Sequence, residues 1–162
     1  IKMKWTKWLE NWDMISLKIK TPFIEMDCNP QEKDKDAAWE MYIELLTRIT
    51  TQPLEYGDEK TALDSVYKLF PLTREIIKKH GRDCGEFTKL AIIILNQKIR
   101  PFTEKWHYKL LNKAFENENK CKKFRKELKE LQKVLVIFTR MLGDMAGVED
   151  DLTQINKKDN SK

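Results

Sequence analysis

A stripe of apolar residues with helical spacing runs through the last third of the chain and is the strongest constraint on its fold. Its members recur every three or four positions, which places them on one side of an α-helix. They are Cys121, Phe124, Leu128, Leu131, Leu135, Phe138 and Leu142. The sequence therefore predicts a long amphipathic helix over about 117–142, ended by Gly143 and buried against other helices.

Further helices are predicted along the rest of the chain. We expect them over residues 1–20, after Asn29, over 58–80 with a kink or split at Pro71, around the apolar run 90–95, and over 101–113, where Pro101 restarts or bends the chain. Residues 16–27 alternate apolar and polar side chains, which predicts a short extended segment.

These elements together predict an all-α protein with one domain. Only 5 glycines and 5 prolines occur in 162 residues, which favours long helices over a turn-rich fold. We predict a single bundle of five to six helices over residues 1–147, followed by a polar tail over 148–162 that we expect to be disordered.

Charge is distributed unevenly along the chain. Residues 25–64 hold 11 acidic and 4 basic side chains, whereas residues 98–133 hold 12 basic and 5 acidic ones. The basic part suits phosphate, a lipid surface or the acidic part of a second copy, so a homo-oligomer is expected. The last helix also carries six lysines outside its apolar stripe. They form either an anion-binding surface or an ordinary solvated one, and they are Lys120, Lys122, Lys123, Lys126, Lys129 and Lys133.

Cysteine and motif content narrows the chemistry. Cys28, Cys84 and Cys121 are widely spaced and form no C-x-x-C pair, which argues against a zinc site and favours a reduced, cytoplasmic setting. The chain has no glycine-rich phosphate loop, no G-x-S-x-G and no H-E-x-x-H. We therefore predict no metal centre and no cofactor.

Three tryptophans near the start allow two interpretations. Trp5, Trp8 and Trp12 share one helical face, with lysines around it. One interpretation is core packing, and the other is a helix at a membrane surface or interface, where tryptophan and lysine are favoured. Because the chain starts at Ile1 without a methionine, the second interpretation includes an anchor segment preceding Ile1, at the inner face of a membrane.

An arginine precedes each of the two histidines at similar spacing. Arg100 and His107 have six residues between them, and Arg74 and His80 have five. Seven positions turn a helix by about 700°, so Arg100 and His107 share a face, whereas Arg74 and His80 do not. Histidine can exchange a proton near neutral pH, and arginine can stabilise a developing phosphorane. Trp106 and Tyr108 would offer surfaces for base stacking.

This R-x(4–6)-H pattern resembles the HEPN superfamily of small all-α bundles, which includes metal-independent ribonucleases of bacterial toxin–antitoxin, phage-defence and CRISPR systems. The resemblance implies RNA cleavage by Arg100 and His107, at a site to which each of two protomers contributes one pair. The alternative is that His107 is an ordinary helix-surface residue beside lysines.

Three Thr-Arg pairs follow apolar residues and suggest a second kind of site. Arg48, Arg74 and Arg140 each begin beside a predicted buried face, where a guanidinium needs an anionic partner. One interpretation is a pocket for a nucleotide-like or phosphate ligand, with Thr47 and Gln52 adding neutral donors and acceptors. The other is that acidic residues within 25–64 pair with these arginines.

Three functions remain open from the sequence. We expect first a non-enzymatic cytoplasmic domain of a bacterial defence-type protein, with or without a membrane anchor, that oligomerises or senses an anionic, nucleotide-like ligand. The alternative is a HEPN-like, metal-independent ribonuclease that uses Arg100 and His107. A second alternative is an RNA-binding or antitoxin-type module without catalysis.

Overall fold

The chain folds into a bundle of α-helices, as predicted. The computed structural model describes residues 3–14, 18–48, 54 and 58–155, and 77% of them are helical. The α-helices are α1 (Trp5–Asn11), α2 (Glu32–Leu46), α3 (Glu59–Tyr67), α4 (Leu69–His80), α5 (Gly85–Ile94), α6 (Arg100–Leu110) and α7 (Glu118–Ala146). Two short strands, β1 (Met3–Lys4) and β2 (Asp27–Cys28), pair antiparallel with Met3 opposite Cys28.

The predicted count of five to six helices is wrong for the described chain. The α-helices join into four helical stretches, 5–11, 32–46, 59–110 and 118–146, because α3 to α6 follow one another without long loops. α3 ends at Tyr67 and α4 begins at Leu69, so Pro71 occupies the first turn of α4, where its missing N–H costs no helical hydrogen bond.

The N-terminal helix is much shorter than the predicted 1–20. α1 ends at Asn11, and Asp13 then adopts a left-handed backbone with φ of 56°. The extended segment expected over 16–27 is reduced to Asp27–Cys28, preceded by a turn at residues 22–25. Residues 15–17 lie outside the described part of the chain.

The core is centred on α2 and α7, which pack along each other. The apolar stripe of α7 is buried from Phe124 to Leu142. Gly143 does not end α7: the helix continues to Ala146, and Gly147, with φ of 78°, caps it. A Cβ at Gly143 would lie 3.0 Å from Cε2 of Tyr42, so glycine is used here for the close approach of α2 to α7.

One buried carboxylate joins the beginnings of two helices. Asp34 is 1% exposed and is the third residue of α2. Its Oδ2 accepts a hydrogen bond from the N–H of Gln31 at 2.7 Å, and its Oδ1 accepts one from the N–H of Phe87 at 2.9 Å. Phe87 is the third residue of α5, so this carboxylate satisfies an end N–H of both helices.

The segment after α7, for which the sequence predicts disorder, contacts the bundle through Leu152 and Thr153. The N–H of Leu152 donates to the hydroxyl of Tyr42 at 3.1 Å, and Nε of Arg140 donates to Oγ1 of Thr153 at 3.0 Å. Burial alone would raise the pKa of Asp151, but hydrogen bonds from Thr153 and Gln154 and the charge of Arg140 lower it. Residues 156–162 lie outside the described part.

Replacing Asp34 by asparagine should destabilise the protein strongly. The amide keeps one acceptor oxygen but turns an NH₂ group toward the other buried backbone N–H, which loses its partner. We expect the free energy of unfolding, measured by urea denaturation, to fall by about 2–3 kcal/mol. Asp36→Asn, an exposed residue of the same helix, is the control and should change stability by less than about 0.5 kcal/mol. Equal effects of the two substitutions would contradict this role of Asp34.

Candidate functional site

The helix that carries Arg100 and His107 runs past Pro101 without a break. Residues Leu95–Ile99 form a π turn between α5 and α6, in which the N–H of Arg100 donates to the carbonyl of Leu95, five residues earlier. A proline ring crowds the preceding turn of an α-helix and donates no N–H. The wider π turn accommodates Pro101, which therefore does not restart the chain as predicted.

The same π turn aligns the buried faces of α5 and α6. Counted at about 100° per residue, the buried residues of α6 would lie roughly a third of a turn from those of α5 in an uninterrupted α-helix. A π turn contains one extra residue and removes most of this offset. The aligned buried residues are Phe87, Leu90, Ala91 and Ile94 of α5 and Phe102, Thr103 and Trp106 of α6.

Arg100 and His107 lie on one side of α6 and rest on aromatic side chains. The guanidinium carbon of Arg100 is 4.7 Å from the ring centroid of Phe70, and Nη2 donates to Oδ1 of Asn96 at 3.1 Å. The His107 ring meets Tyr67 edge to face, with centroids 5.2 Å apart. Because Tyr67 and Phe70 are also in contact, at 5.7 Å, the two candidate residues share one surface of α3, α4 and α6.

The second arginine–histidine pair is not assembled. The side chain of His80 is 7% exposed, and its Nε2 lies 3.2 Å from Oε1 of Glu40. Arg74 is exposed on α4 and makes no ion pair with the described residues. Burial alone would raise the pKa of Glu40, but contacts with Lys79 and His80 lower it. His80 thus lies buried beside Glu40, and Arg74 points elsewhere on the exposed side of α4.

Two lysines of α6 lie against the same indole ring. Nζ of Lys105 is 5.4 Å and Nζ of Lys109 is 5.3 Å from the ring centroid of Trp106. Trp106 is completely buried, so the expectation that it stacks on bases is wrong. Tyr108 is 69% exposed and keeps that capability. Lys105 also pairs with Glu127 of α7.

The lysines of α7 extend this positive region. All six predicted lysines are exposed on the outer side of the helix. Lys122 pairs with Glu118 and Lys133 with Glu130. Lys120 and Lys123 make no ion pair with the described residues. We call Lys105, Lys109, Lys120 and Lys123, together with Tyr108, the basic surface.

Both loss of water contact and neighbouring positive charge act on the pKa of Lys109. Loss of water contact and the charges of Lys123, Lys105 and Lys120 lower the pKa of Lys109 below its usual value, although Glu127 acts in the opposite direction. Sequence reasoning did not select Lys105 and Lys109. Their spacing of four positions on α6 was visible, but their proximity to α7 depends on the tertiary fold.

The three arginines proposed for a ligand pocket do not converge. Nη2 of Arg48 pairs with Oε2 of Glu44 at 2.8 Å, while Thr47 donates to the backbone of its own helix. Arg140 contacts Asp151 at 3.2 Å beside a cleft of about 330 Å³ that Arg48 and Arg74 do not line. Gln52 lies outside the described residues. Arg48 and Arg140 are therefore each matched by an acidic neighbour.

The N-terminal tryptophans are placed mainly for packing. Trp5 and Trp8 are 0% and 3% exposed, and Nε1 of Trp8 donates to Oδ2 of Asp144 at 2.7 Å. In this fold neither ring can contact a membrane or a partner, which corrects that interpretation for both. Trp12 is half-buried and lines the cleft beside Arg140. Among the described residues, no helix combines the length and the apolar character needed to cross a membrane.

The described part of the chain contains no assembled metal site and no activated thiol. His, Cys, Asp and Glu side chains there form no group of three or more that could hold a metal ion. Burial and the nearby carboxylates of Glu86 and Asp34 raise the pKa of Cys28, which keeps this thiol protonated and unreactive. Burial and Glu59 also raise the pKa of Cys121.

Comparison with known proteins adds no relative. The sequence matches no protein-family model, and no curated protein or solved structure is significantly similar to it. Within the candidate site, the basic surface contains exposed lysines, Lys120 and Lys123, that make no ion pair with the described residues.

Removing one neighbouring charge should raise the pKa of Lys109. In Lys123→Gln the largest repulsive charge acting on Lys109 is lost, so its ammonium form becomes more favourable. A pH titration of the lysine side-chain carbons by NMR would measure this rise. Lys126→Gln, on the same exposed side of α7, is the matched control. The assignment fails if Lys126→Gln shifts Lys109 as much as Lys123→Gln does.

Proposed function

We propose that this chain is a non-enzymatic helical domain that binds single-stranded RNA through its basic surface. The observation that carries the proposal is that Lys105 and Lys109 lie against the buried indole of Trp106. Lys120 and Lys123 of α7 are near enough to act on the charge of Lys109, and Glu127 is the acidic neighbour. Placing like charges together costs stability in the isolated protein. A polyanion would repay that cost by neutralising them, and RNA phosphates have the required charge.

The shape of the basic surface favours a single strand. Lys120, Lys123 and Tyr108 of the basic surface are exposed, and the surface includes no arginine fork for reading base edges. Tyr108 presents a largely exposed ring beside Lys109, where an unpaired base could stack. We therefore infer binding to the phosphate backbone with little sequence preference.

The anionic ligand in this proposal is a polymer and not a single nucleotide. A mononucleotide needs a pocket with converging donors, whereas Arg48 and Arg140 each have an acidic partner inside the domain and Arg74 lies apart on α4. A polymer instead gains affinity from several weak contacts along an open surface. The proposal includes the cytoplasm of a bacterial cell as the setting, and a defence system as the context in which RNA is bound.

Reversing charge on the basic surface should weaken RNA binding. We expect Lys109→Glu combined with Lys123→Glu to lower the affinity for a labelled single-stranded oligoribonucleotide at least about tenfold at low salt. The slope of log affinity against log salt should also become shallower by about 2. Fluorescence anisotropy measures both quantities.

Two matched variants sharpen this experiment. Lys33→Glu changes an exposed lysine of the acidic α2 and should leave the affinity nearly unchanged. Tyr108→Ala should weaken binding to RNA but not to inorganic polyphosphate, which has no bases to stack. An affinity that does not respond to Lys109→Glu with Lys123→Glu would refute the proposed surface.

The HEPN-like ribonuclease is the second candidate, and one observation favours it. Arg100 and His107 are held on one face by the contacting rings of Phe70 and Tyr67. On this face His107 would act as the general acid or base, with Arg100 stabilising the phosphorane. A second protomer would supply the other pair.

Catalysis would show as metal-independent RNA cleavage. If this candidate is right, the protein cuts total RNA in the presence of EDTA, and His107→Ala or Arg100→Ala reduces cleavage by at least about a hundredfold. Arg74→Ala, an exposed arginine of α4, should cleave at the normal rate. Cleavage that survives both His107→Ala and Arg100→Ala would come from a contaminant and would eliminate this candidate.

A further inference from the structure

A groove between α2 and α4 exposes apolar side chains beside carboxylates. Trp39 and Ile43 of α2 are 46% and 37% exposed. The groove measures about 450 Å³. It is lined by Trp39, Glu40, Ile43, Glu44, Leu72, Glu75, Ile76 and Lys79, and we call this set the acidic groove.

The acidic groove keeps a negative charge. Three carboxylates line it, against the single ammonium of Lys79. Glu40 already binds Lys79 and His80, and Glu44 binds Arg48, but Glu75 makes no ion pair with the described residues. Asp36, one turn before Glu40 on α2, is exposed and adds to the negative potential.

A second exposed apolar patch lies among basic side chains at the end of α6. Leu111 is 80% exposed and Tyr108 is 69% exposed at the end of α6, the highest exposures among the large apolar side chains described. Lys109 and Lys113 flank them, and Lys113 is exposed with a left-handed backbone. We call Tyr108, Lys109, Leu111 and Lys113 the basic corner. None of these residues lines the acidic groove of its own chain.

We propose that this protein self-associates head to tail, with the basic corner of one copy seated in the acidic groove of the next. Apolar side chains on both surfaces would be buried against each other, and lysines of the corner would meet carboxylates of the groove. Pairing two grooves or two corners would bring like charges together. A symmetric dimer through either surface alone is therefore disfavoured.

Head-to-tail contact has a definite structural outcome. Each copy retains one open groove and one open corner after binding, so the contact repeats and produces chains of increasing length unless the rotation closes a ring. The assembly should depend on salt, because the groove and the corner attract each other through exposed charges. This self-association does not depend on the proposed RNA binding, and it is tested with protein that is free of nucleic acid.

Complementary variants test the arrangement. Ile43→Lys places a positive charge in the groove but leaves the corner intact, and Leu111→Asp places a negative charge in the corner but leaves the groove intact. We expect the average mass of the wild-type protein in sedimentation velocity to rise with concentration at low salt and to return to that of a monomer at about 0.5 M salt. Each variant alone should stay monomeric.

The decisive measurement is an equimolar mixture of these two variants. It should assemble beyond the monomer, because the unaltered corner of Ile43→Lys meets the unaltered groove of Leu111→Asp. Ile92→Lys, at an exposed isoleucine of α5 outside both surfaces, should assemble like the wild type. Thermal melting by circular dichroism verifies that all variants are folded.

Three results would overturn the inference. A wild-type protein that stays monomeric at every concentration eliminates self-association. A Leu111→Asp variant that still dimerises alone indicates a groove-to-groove contact instead. A mixture that remains monomeric indicates that the groove and the corner are not partners. The basic corner shares Tyr108 and Lys109 with the basic surface, but sedimentation is measured without RNA and anisotropy with RNA, so the two proposals fail separately.

Discussion

The carboxylate of Asp34 is the constraint that holds the helical bundle in register. It is buried and has no basic partner in the part of the chain that the structure describes, and its charge is compensated by backbone N–H groups at the positive ends of α2 and α5. α2 is the helix that packs along α7, and α5 is the helix that leads to α6. Fixing the two starting points against each other therefore fixes where α6 and its lysines lie relative to the core. A buried charge without these donors would be strongly unfavourable.

The fold class and the long C-terminal helix could be predicted from the sequence, because apolar spacing determines which face a helix buries. The end of that helix could not be predicted. Glycine often terminates a helix, but Gly143 lies inside α7 and leaves room for Tyr42 of α2, which is far away in sequence. Trp39 shows the same limit. It follows the period of a buried stripe, yet no helix of the described chain covers it.

The candidate site was only partly visible in the sequence. The lysine row of α7 is a local pattern and could be recognised, whereas Lys105 and Lys109 gain their importance from the approach of α6 to α7. The similar Thr-Arg pairs suggested a shared pocket. In the fold, Arg48, just after α2, pairs with Glu44 of that helix, and Arg140 pairs with Asp151 of the C-terminal segment. Short sequence similarity carries no information about such tertiary neighbours.

The orientation of the basic surface depends on how many residues the π turn between Leu95 and Ile99 contains, and less on which residues they are. Many substitutions there would leave the helix phase unchanged, but deleting one residue would rotate everything that follows by about 100°. Trp106 would then turn away from the core, and the side of α6 that carries Lys105 and Lys109 would move relative to α7. We expect variation at this turn to preserve its length, so insertions and deletions would be tolerated less than changes of side chain.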